Sequence, residues 1–257
     1  MRLPPLFPPP GEILPRHLYH GSTDGLILLR LARAAAQVEP EESFPQLERL
    51  MNTMFDYVNA LPDTTVAAGI EPLPGAPETL RRLAVLAPAV RCGLVTGNVE
   101  GIAIRKMGAV GVVATGAMAP PSPDQRGKYG TKLSGFLGGF GSDYCSGDID
   151  DLDRNYLDRA EQLRIADERC CRTSDPAVTR VIHVGDAPAD VLAAKAFAMM
   201  QSNVTVGMVA TATGSYPADQ LRELAGDPLP GVWEPVVVLE HGLADPYAFL
   251  AACGLAA

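Results

Sequence analysis

The chain has 257 residues, 47% of them hydrophobic and 20% charged, which indicates one large folded domain or a core with a modest second domain. Its 21 Lys and Arg stand against 30 Asp and Glu, for a formal net charge of −9. Because a nucleic-acid backbone is bound by many clustered cations, a nucleic-acid partner is disfavoured. No apolar run reaches the roughly 18 residues of a membrane helix, so no membrane partner is expected.

The N-terminal segment and the cysteines bear on location. Residues 1–19 are rich in proline, which removes backbone donors and prevents the apolar helix of a signal peptide. We therefore expect an extended arm and a cytoplasmic protein. The five cysteines (Cys92, Cys145, Cys170, Cys171 and Cys253) are odd in number and form no C-x-x-C pair. Reduced thiols are expected, and neither a disulfide framework nor a structural zinc site.

A helical unit is predicted near the N-terminus. From Thr23 to about Ala60, apolar residues recur at the spacing of an amphipathic helix, first around Leu26 and Leu29 and then around Met51. Neither stretch carries the alternation of a strand. We assign residues 20–68 to a small helical cap.

The rest of the chain, 69–257, is predicted to be an α/β core. Helices are predicted over about 78–86, from about 99 through Met107, and over 155–172, 190–199 and 218–224, and strands over 92–95, 178–184, 204–210 and 235–239. Continuous apolar strands that alternate with helices are typical of a parallel sheet covered on both faces, so we expect a doubly wound, Rossmann-like sheet. Residues 115–141 are rich in glycine and proline and show no period, which predicts a loop insertion.

Acidic residues follow one of these strands. In open α/β sheets, ligands lie beyond the carboxyl ends of the strands. Asp186 follows the 178–184 strand and Asp190 comes four residues later, so both carboxylates can face one point and hold a hard divalent cation. The alternative is that Asp190 only caps its helix and Asp186 only forms the turn.

A second strand end carries polar groups. Thr96 offers a hydroxyl, and Gly97 and Asn98 offer backbone donors where a helix begins. Such a turn can cradle a phosphate or an oxyanion. The alternative is an ordinary N-terminal helix cap by Thr96 or Asn98.

These two turns resemble motifs of the haloacid dehalogenase-like (HAD) hydrolases. The stretch VIHVGDAPADVLAAKAFAM resembles the fourth motif, with Asp186 and Asp190 as its acidic pair, and GLVTGN resembles the second motif, with Thr96. The phosphoglycolate-phosphatase-like branch is resembled by LPGAPETLRRL, GGFGSD, DRAEQLRIA and VATATGSYPADQL, and the start of its helical cap by GSTDGLIL. The position that matches the third motif is Arg159.

The resemblance implies a magnesium-dependent phosphatase that acts on a small phosphorylated metabolite. Thr96 and Arg159 would hold the phosphoryl oxygens, helped by Gly97 and Asn98, while Asp186 would bind Mg²⁺ with Asp190 beside it. The physical fit is good, since charge spread over phosphoryl oxygens is stabilised by cations and oriented donors.

One motif of the family is not found. The first motif is an apolar strand followed by Asp-x-Asp-Gly-Thr, which supplies the nucleophile and the general acid from the centre of the sheet. Asp148 and Asp150 have the spacing and Asp24 precedes a glycine, but none follows an apolar run. Three explanations stay open: an N-terminally truncated chain, a catalytically dead phosphate- or metal-binding regulatory protein, or a nucleophile recruited from elsewhere. We expect poor turnover or none.

Other candidate sites are weaker. Gly139 and Gly141 begin a dinucleotide fingerprint that Tyr144 breaks, which disfavours a nucleotide-dependent oxidoreductase. His183 lies inside an apolar strand and is interpreted as a core histidine. Arginines beside Cys170 can lower the pKa of a thiol, but a packing or surface role is expected there.

Overall fold

The computed structural model describes residues 14–15, 18, 21–118, 135–171, 177–201, 203–214 and 216–255. Its helices are α1 (Asp24–Ala36), α2 (Pro40–Ser43), α3 (Leu47–Ala60), α4 (Asp63–Ala67), α5 (Ala76–Ala84), α6 (Glu100–Ala109), α7 (Tyr156–Cys171), α8 (Pro188–Met200), α9 (Ala218–Ala225) and α10 (Pro246–Ala252). Its strands are β1 (Leu94–Thr96), β2 (Gly138–Phe140), β3 (Arg180–Gly185), β4 (Thr205–Thr211) and β5 (Val237–Leu239). Over these ranges, no helix is both long and apolar enough to cross a bilayer.

The N-terminal part of the described chain is helical, as its periodicity predicts. Helix α1 begins after Thr23, whose side chain accepts the N–H of Leu26 at 3.5 Å, as an N-cap residue does. The apolar side chains of α1 and α3 share one cluster, which also includes Val99 and Ile102 at the start of α6 (Leu26, Leu29, Leu47, Met51, Phe55). The helical unit therefore packs directly on the first helix after β1.

The strands are all parallel, but they form two sheets. Strand β1 pairs with β2, and β3, β4 and β5 form a three-stranded sheet in that order. The mixed α/β class with parallel strands is confirmed. The described strands do not join into one doubly wound sheet. Strand β1 pairs with β2 along one edge and β3 pairs with β4 along one edge, and no described strand pairs with the other edge of either.

The central strand of the three-stranded sheet, β4, is buried on both faces, as expected for a parallel strand. Met208 of β4 lies in a cluster with Phe197 of α8 and Trp233, whereas Val209, on the opposite face, packs against Phe249 of α10. Side chains alternate along a strand, so these two neighbours reach opposite layers. This double cover explains why β4 reads as an uninterrupted apolar run.

The two sheets lie next to one another with the ends of β1 and β3 close together. Helix α7 contacts β1, β2 and α8, and Val95 of β1 packs against the cluster that covers the three-stranded sheet. Gly21 lies near Ala189, just beyond β3, and Asp24 N–H donates to the carbonyl of Gly97, just beyond β1, at 2.7 Å. The segment 21–24, whose three Cα steps span at most about 11 Å, therefore bridges the two strand ends.

One part of the predicted loop insertion is wrong. Residues 138–140 form strand β2, although Gly-Gly-Phe carries no β-branched residue. The strand depends on close approach: a Cβ at Gly139 would overlap the carbonyl of Gln162 in α7, and one at Gly138 would overlap that of Leu94 in β1. The remainder of the predicted insertion between 119 and 134 lies outside the described residues, as do residues 1–13 of the predicted arm.

Candidate functional site

The carboxylate of Asp190 lies at the centre of the candidate site. Asp190 occupies the first turn of α8 and is 3% exposed. One oxygen accepts the backbone N–H groups of Asp186 and Ala187, each at 3.1 Å. The other accepts Nη1 of Arg159, from α7, at 2.5 Å. Two residues that were assigned to separate motifs therefore meet in an ion pair. Asp190 also stabilises the start of α8, but from the third helical position, since the N-cap residue is Ala187 and not Asp190 as the alternative proposed.

The neighbours of Asp190 keep its carboxylate ionised. Burial raises the pKa of this carboxyl, but the imidazole of His183, the guanidinium of Arg159 and the backbone N–H of Ala187 outweigh burial and hold the pKa well below its usual range. His183 Nε2 lies 3.7 Å from Asp190 Oδ1, which is beyond hydrogen-bond distance. His183 is 6% exposed, so the prediction of a buried histidine is confirmed, but its acidic neighbour was not predicted.

Two glycines make room for the acidic pair. A Cβ at Gly185 would overlap the carboxylate of Asp190, and a Cβ at Gly214 would overlap Oδ2 of Asp186. Asp186 itself is exposed at the end of β3. The Asp186 carboxylate therefore lies at the surface against Gly214, and the Asp190 carboxylate is buried against Gly185.

These carboxylates make an incomplete magnesium site. Both oxygens of Asp190 are already engaged, which leaves Asp186 as the exposed carboxylate. Over the described ranges, no group of three or more His, Cys, Asp and Glu side chains is arranged to hold a metal ion. Since Mg²⁺ takes six oxygen ligands in a strict octahedron, we assign no chemical step to a metal here.

The Thr96–Asn98 turn is stabilised by its own side chains. Thr96 Oγ1 accepts the backbone N–H of Asn98 at 3.2 Å, and the Asn98 amide oxygen accepts Nζ of Lys106 at 2.8 Å. A Cβ at Gly97 would lie 3.0 Å from the carbonyl oxygen of Ser22, a tight contact that favours glycine where the segment 21–24 crosses. The turn is thus preformed, and one of its backbone donors already has an internal acceptor.

Asp24 lies against this turn. Its Oδ2 accepts the backbone N–H of Val99 at 2.8 Å, and the Asn98 amide donates to Oδ1 at 3.2 Å. Burial raises the pKa of Asp24, although these two bonds and the charge of Lys106 act in the opposite direction. The carboxylate therefore stabilises the beginning of α6, which agrees with its rejection as a nucleophile. Sequence reasoning missed this role because Thr23-Asp24-Gly25 signals only the start of its own helix.

Buried polar atoms without hydrogen-bond partners lie close to the ion pair. Within the described part of the chain they include Nε2 of His183, Nε of Arg159 and both polar side-chain atoms of Gln162. Gln162 follows Arg159 by one turn of α7 and is 0% exposed. An unpaired buried group costs about 1–3 kcal/mol, so this region carries more hydrogen-bonding capacity than its own packing uses.

The remaining sequence candidates lie outside this cluster. Burial raises the pKa of the Cys170 thiol to about 11, so the neighbouring arginines do not produce a reactive thiolate, and the packing role fits. Asp150, in the acidic segment near α7, is exposed and forms a hydrogen-bonded ion pair with Arg33 of α1 at 2.6 Å. That segment therefore joins the helical unit to the region before α7.

No family model, curated protein or solved structure matches this chain.

Proposed function

We propose that the chain is a haloacid dehalogenase-like protein of the phosphoglycolate-phosphatase-like kind, a branch of magnesium-dependent phosphatases, and that it binds the phosphoryl group of a small phosphorylated metabolite but turns it over poorly or not at all. The observation that carries this proposal is the ion pair between Arg159 and Asp190 at 2.5 Å. This pair joins the candidate third motif to the candidate fourth motif, which follows β3. The segment 21–24 then connects the end of β3 to the candidate second motif, which follows β1.

In the proposed site, Thr96, Gly97 and Arg159 hold the phosphoryl oxygens, while Asn98 fixes the turn, because its backbone N–H donates to Thr96 and its amide donates to Asp24. Arg159 has five N–H donors, and Asp190 accepts from Nη1 alone among them. Its Nε is buried and has no partner within the described residues, which leaves the guanidinium capacity for a second acceptor. A cation held in place by Asp190 favours a transition state whose charge spreads over phosphoryl oxygens.

The proposed fold follows a doubly wound plan, but no described strand fills the position between β1 and β3 that a central strand occupies in the resembled family. The open edges of these two strands, the helix α7 that covers both sheets and the bridge at 21–24 support this arrangement. In the resembled family, such a strand carries the nucleophilic aspartate and a further metal ligand. Neither has a counterpart among the described residues, so we propose that this chain binds phosphate and hydrolyses esters poorly or not at all. A regulatory phosphate-binding protein is the alternative, and the fully engaged carboxylate of Asp190 favours it.

Calorimetric titration with inorganic phosphate tests the site. The unmodified chain is expected to bind phosphate, and Thr96→Val is expected to weaken binding about tenfold, since one charge-assisted hydrogen bond contributes about 1.5–3 kcal/mol. Thr53→Val is the matched control, because Thr53 is exposed on α3 and bonds only within its helix. Circular dichroism would establish that both variants fold. Equal affinities for the two variants, or no binding by the unmodified chain, would contradict the proposal.

A further inference from the structure

A cavity of about 210 Å³ lies between the helical unit and the segment that follows β2. Phe44, Leu47, Glu48 and Met51 line one side, and residues 141–145 line the other. Ligand pockets for drug-sized molecules have volumes of about 300–1,000 Å³, so this cavity suits a smaller organic group. None of its lining residues belongs to the proposed phosphate site.

Two aromatic rings border the cavity and remain accessible. Phe44 is 42% exposed and Tyr144 is 39% exposed. The Phe44 ring lies next to Gly147, where an added Cβ would be 2.9 Å from a ring carbon, so the ring has a backbone neighbour on that side. Aromatic faces carry the negative part of a ring quadrupole and attract cations.

The charged residues of the lining are all acidic. Asp143 is neutralised by Arg169 at 2.7 Å, whereas Glu48 is exposed and forms no ion pair with a described residue. No Lys or Arg lines the cavity. The local field therefore disfavours an anion and favours a cation.

The pKa of Tyr144 is also affected by nearby negative charge. Burial raises the pKa of its phenol, and the carboxylates of Asp158 and Glu161 raise it further. The phenol consequently stays neutral, and two more negative charges act on the rim of the cavity in addition to Glu48.

We propose that this cavity binds the alkylated ammonium head of a small organic cation. The head would lie against the faces of Phe44 and Tyr144, with the Glu48 carboxylate as its counter-charge. Aromatic surfaces with a nearby anion recognise quaternary ammonium groups in this way. Its methyl groups match the apolar side chains of Leu47 and Met51. The proposal is independent of phosphate hydrolysis, because it uses other residues and is tested by binding alone.

Calorimetric titration with choline, compared with its neutral isostere 3,3-dimethylbutan-1-ol, tests the proposal. The two probes have the same shape and differ in charge, so the unmodified chain is expected to bind choline at least about tenfold more tightly if cation–π and carboxylate contacts each contribute about 1 kcal/mol. Glu48→Gln and Tyr144→Leu are each expected to weaken choline binding about fivefold. Glu41→Gln and Tyr57→Leu are the matched controls, since both residues are exposed and neither lines the cavity.

Thermal unfolding of each variant separates a lost contact from a lost fold. The comparison of the two probes needs no variant, so it stands even where a substitution lowers stability. Equal affinity for choline and the isostere would overturn the proposal and indicate an apolar pocket without charge preference. Absence of choline binding at tens of millimolar, or an equal loss in the control variants, would also overturn it.

Discussion

The carboxylate of Asp24, in the first turn of α1, accepts the backbone N–H of Val99, just before α6, at 2.8 Å. The two residues are 75 positions apart, and the bond joins the helical unit to the turn that follows β1. One side chain thus holds the candidate phosphate turn against the segment that crosses above it.

Removal of this acceptor is expected to destabilise the protein. Asp24→Ala leaves the N–H of Val99 without its partner and should lower the free energy of unfolding by about 1–2 kcal/mol, whereas Asp24→Asn keeps an oxygen there and should cost less. Urea denaturation measures both changes. Asp56→Ala on the exposed face of α3 should stay within about 0.5 kcal/mol, and an equal loss in that control would contradict the account.

The pH dependence of stability should reveal the buried acid of Asp24. Burial raises its pKa above the ordinary 3.8 in the folded protein. Between pH 3.8 and the raised pKa, the folded state then binds more protons than the unfolded state. The free energy of unfolding that Asp24 contributes therefore falls as pH rises through this interval. Denaturation series for the unmodified chain and Asp24→Asn should differ in slope in this interval. Parallel curves would contradict the raised pKa.

Asp190→Asn is expected to be far more harmful. It leaves Arg159, whose side chain is 17% exposed, without its counter-ion, and breaking a buried pair costs about 3–5 kcal/mol. Because the pKa of Asp190 is lowered from 3.8, its contribution is present above pH 3.8 and is lost as pH falls below it. The variant should therefore lose less additional stability in acid than the unmodified chain. Asp153→Asn, at an exposed position, should behave like the unmodified chain.

The glycine that faces this carboxylate offers a separate test. Gly185→Ala should displace Asp190 and destabilise the protein by about 1–3 kcal/mol, as overpacking does. It should also weaken phosphate binding, since Arg159 would lose its fixed position. Gly69→Ala is the matched control, because a Cβ there meets nothing within 4 Å. Unchanged stability and phosphate affinity in Gly185→Ala would show that the carboxylate does not depend on this approach.

Much of the fold could be predicted because its longer elements carry strong local patterns. Helix α7 and strand β4 begin and end within one or two residues of the expected positions. Strand β2 could not be predicted, since Gly-Gly-Phe becomes a strand only through pairing with β1 and contact with α7. Helix α10 was not predicted either.

Some residues of the candidate site could be identified from the sequence, whereas contacts between distant segments could not. Arg159 and Asp190 were identified separately from the motif resemblance, and the structure shows them in contact. The bond from Val99 to Asp24 and the proximity of His183 to Asp190 depend on how distant segments pack. Neither has a local sequence signal, so only the three-dimensional arrangement reveals them.

Hydrogen exchange can test how the two sheets are arranged. Strand β4 lies between β3 and β5 and pairs with β5 over Val209–Thr211, so its amides in that stretch should be protected. Alternate amides of β1 and β3 point to edges that pair with no described strand, and these should exchange at least about tenfold faster, as exposed backbone does. Uniform protection along β3, equal to that of β4, would show that its outer edge is paired.

The most direct test of the central claim is phosphate release from p-nitrophenyl phosphate by the 257-residue chain, with Mg²⁺ present and with it removed. In the proposed site, residues hold a phosphoryl group without a nucleophile among the described residues to attack it, so we expect little or no release above the buffer rate in either condition. Release that depends on Mg²⁺ and is abolished by Asp186→Asn would contradict it. The attacking group would then be sought at Asp148, Asp150 and Asp24.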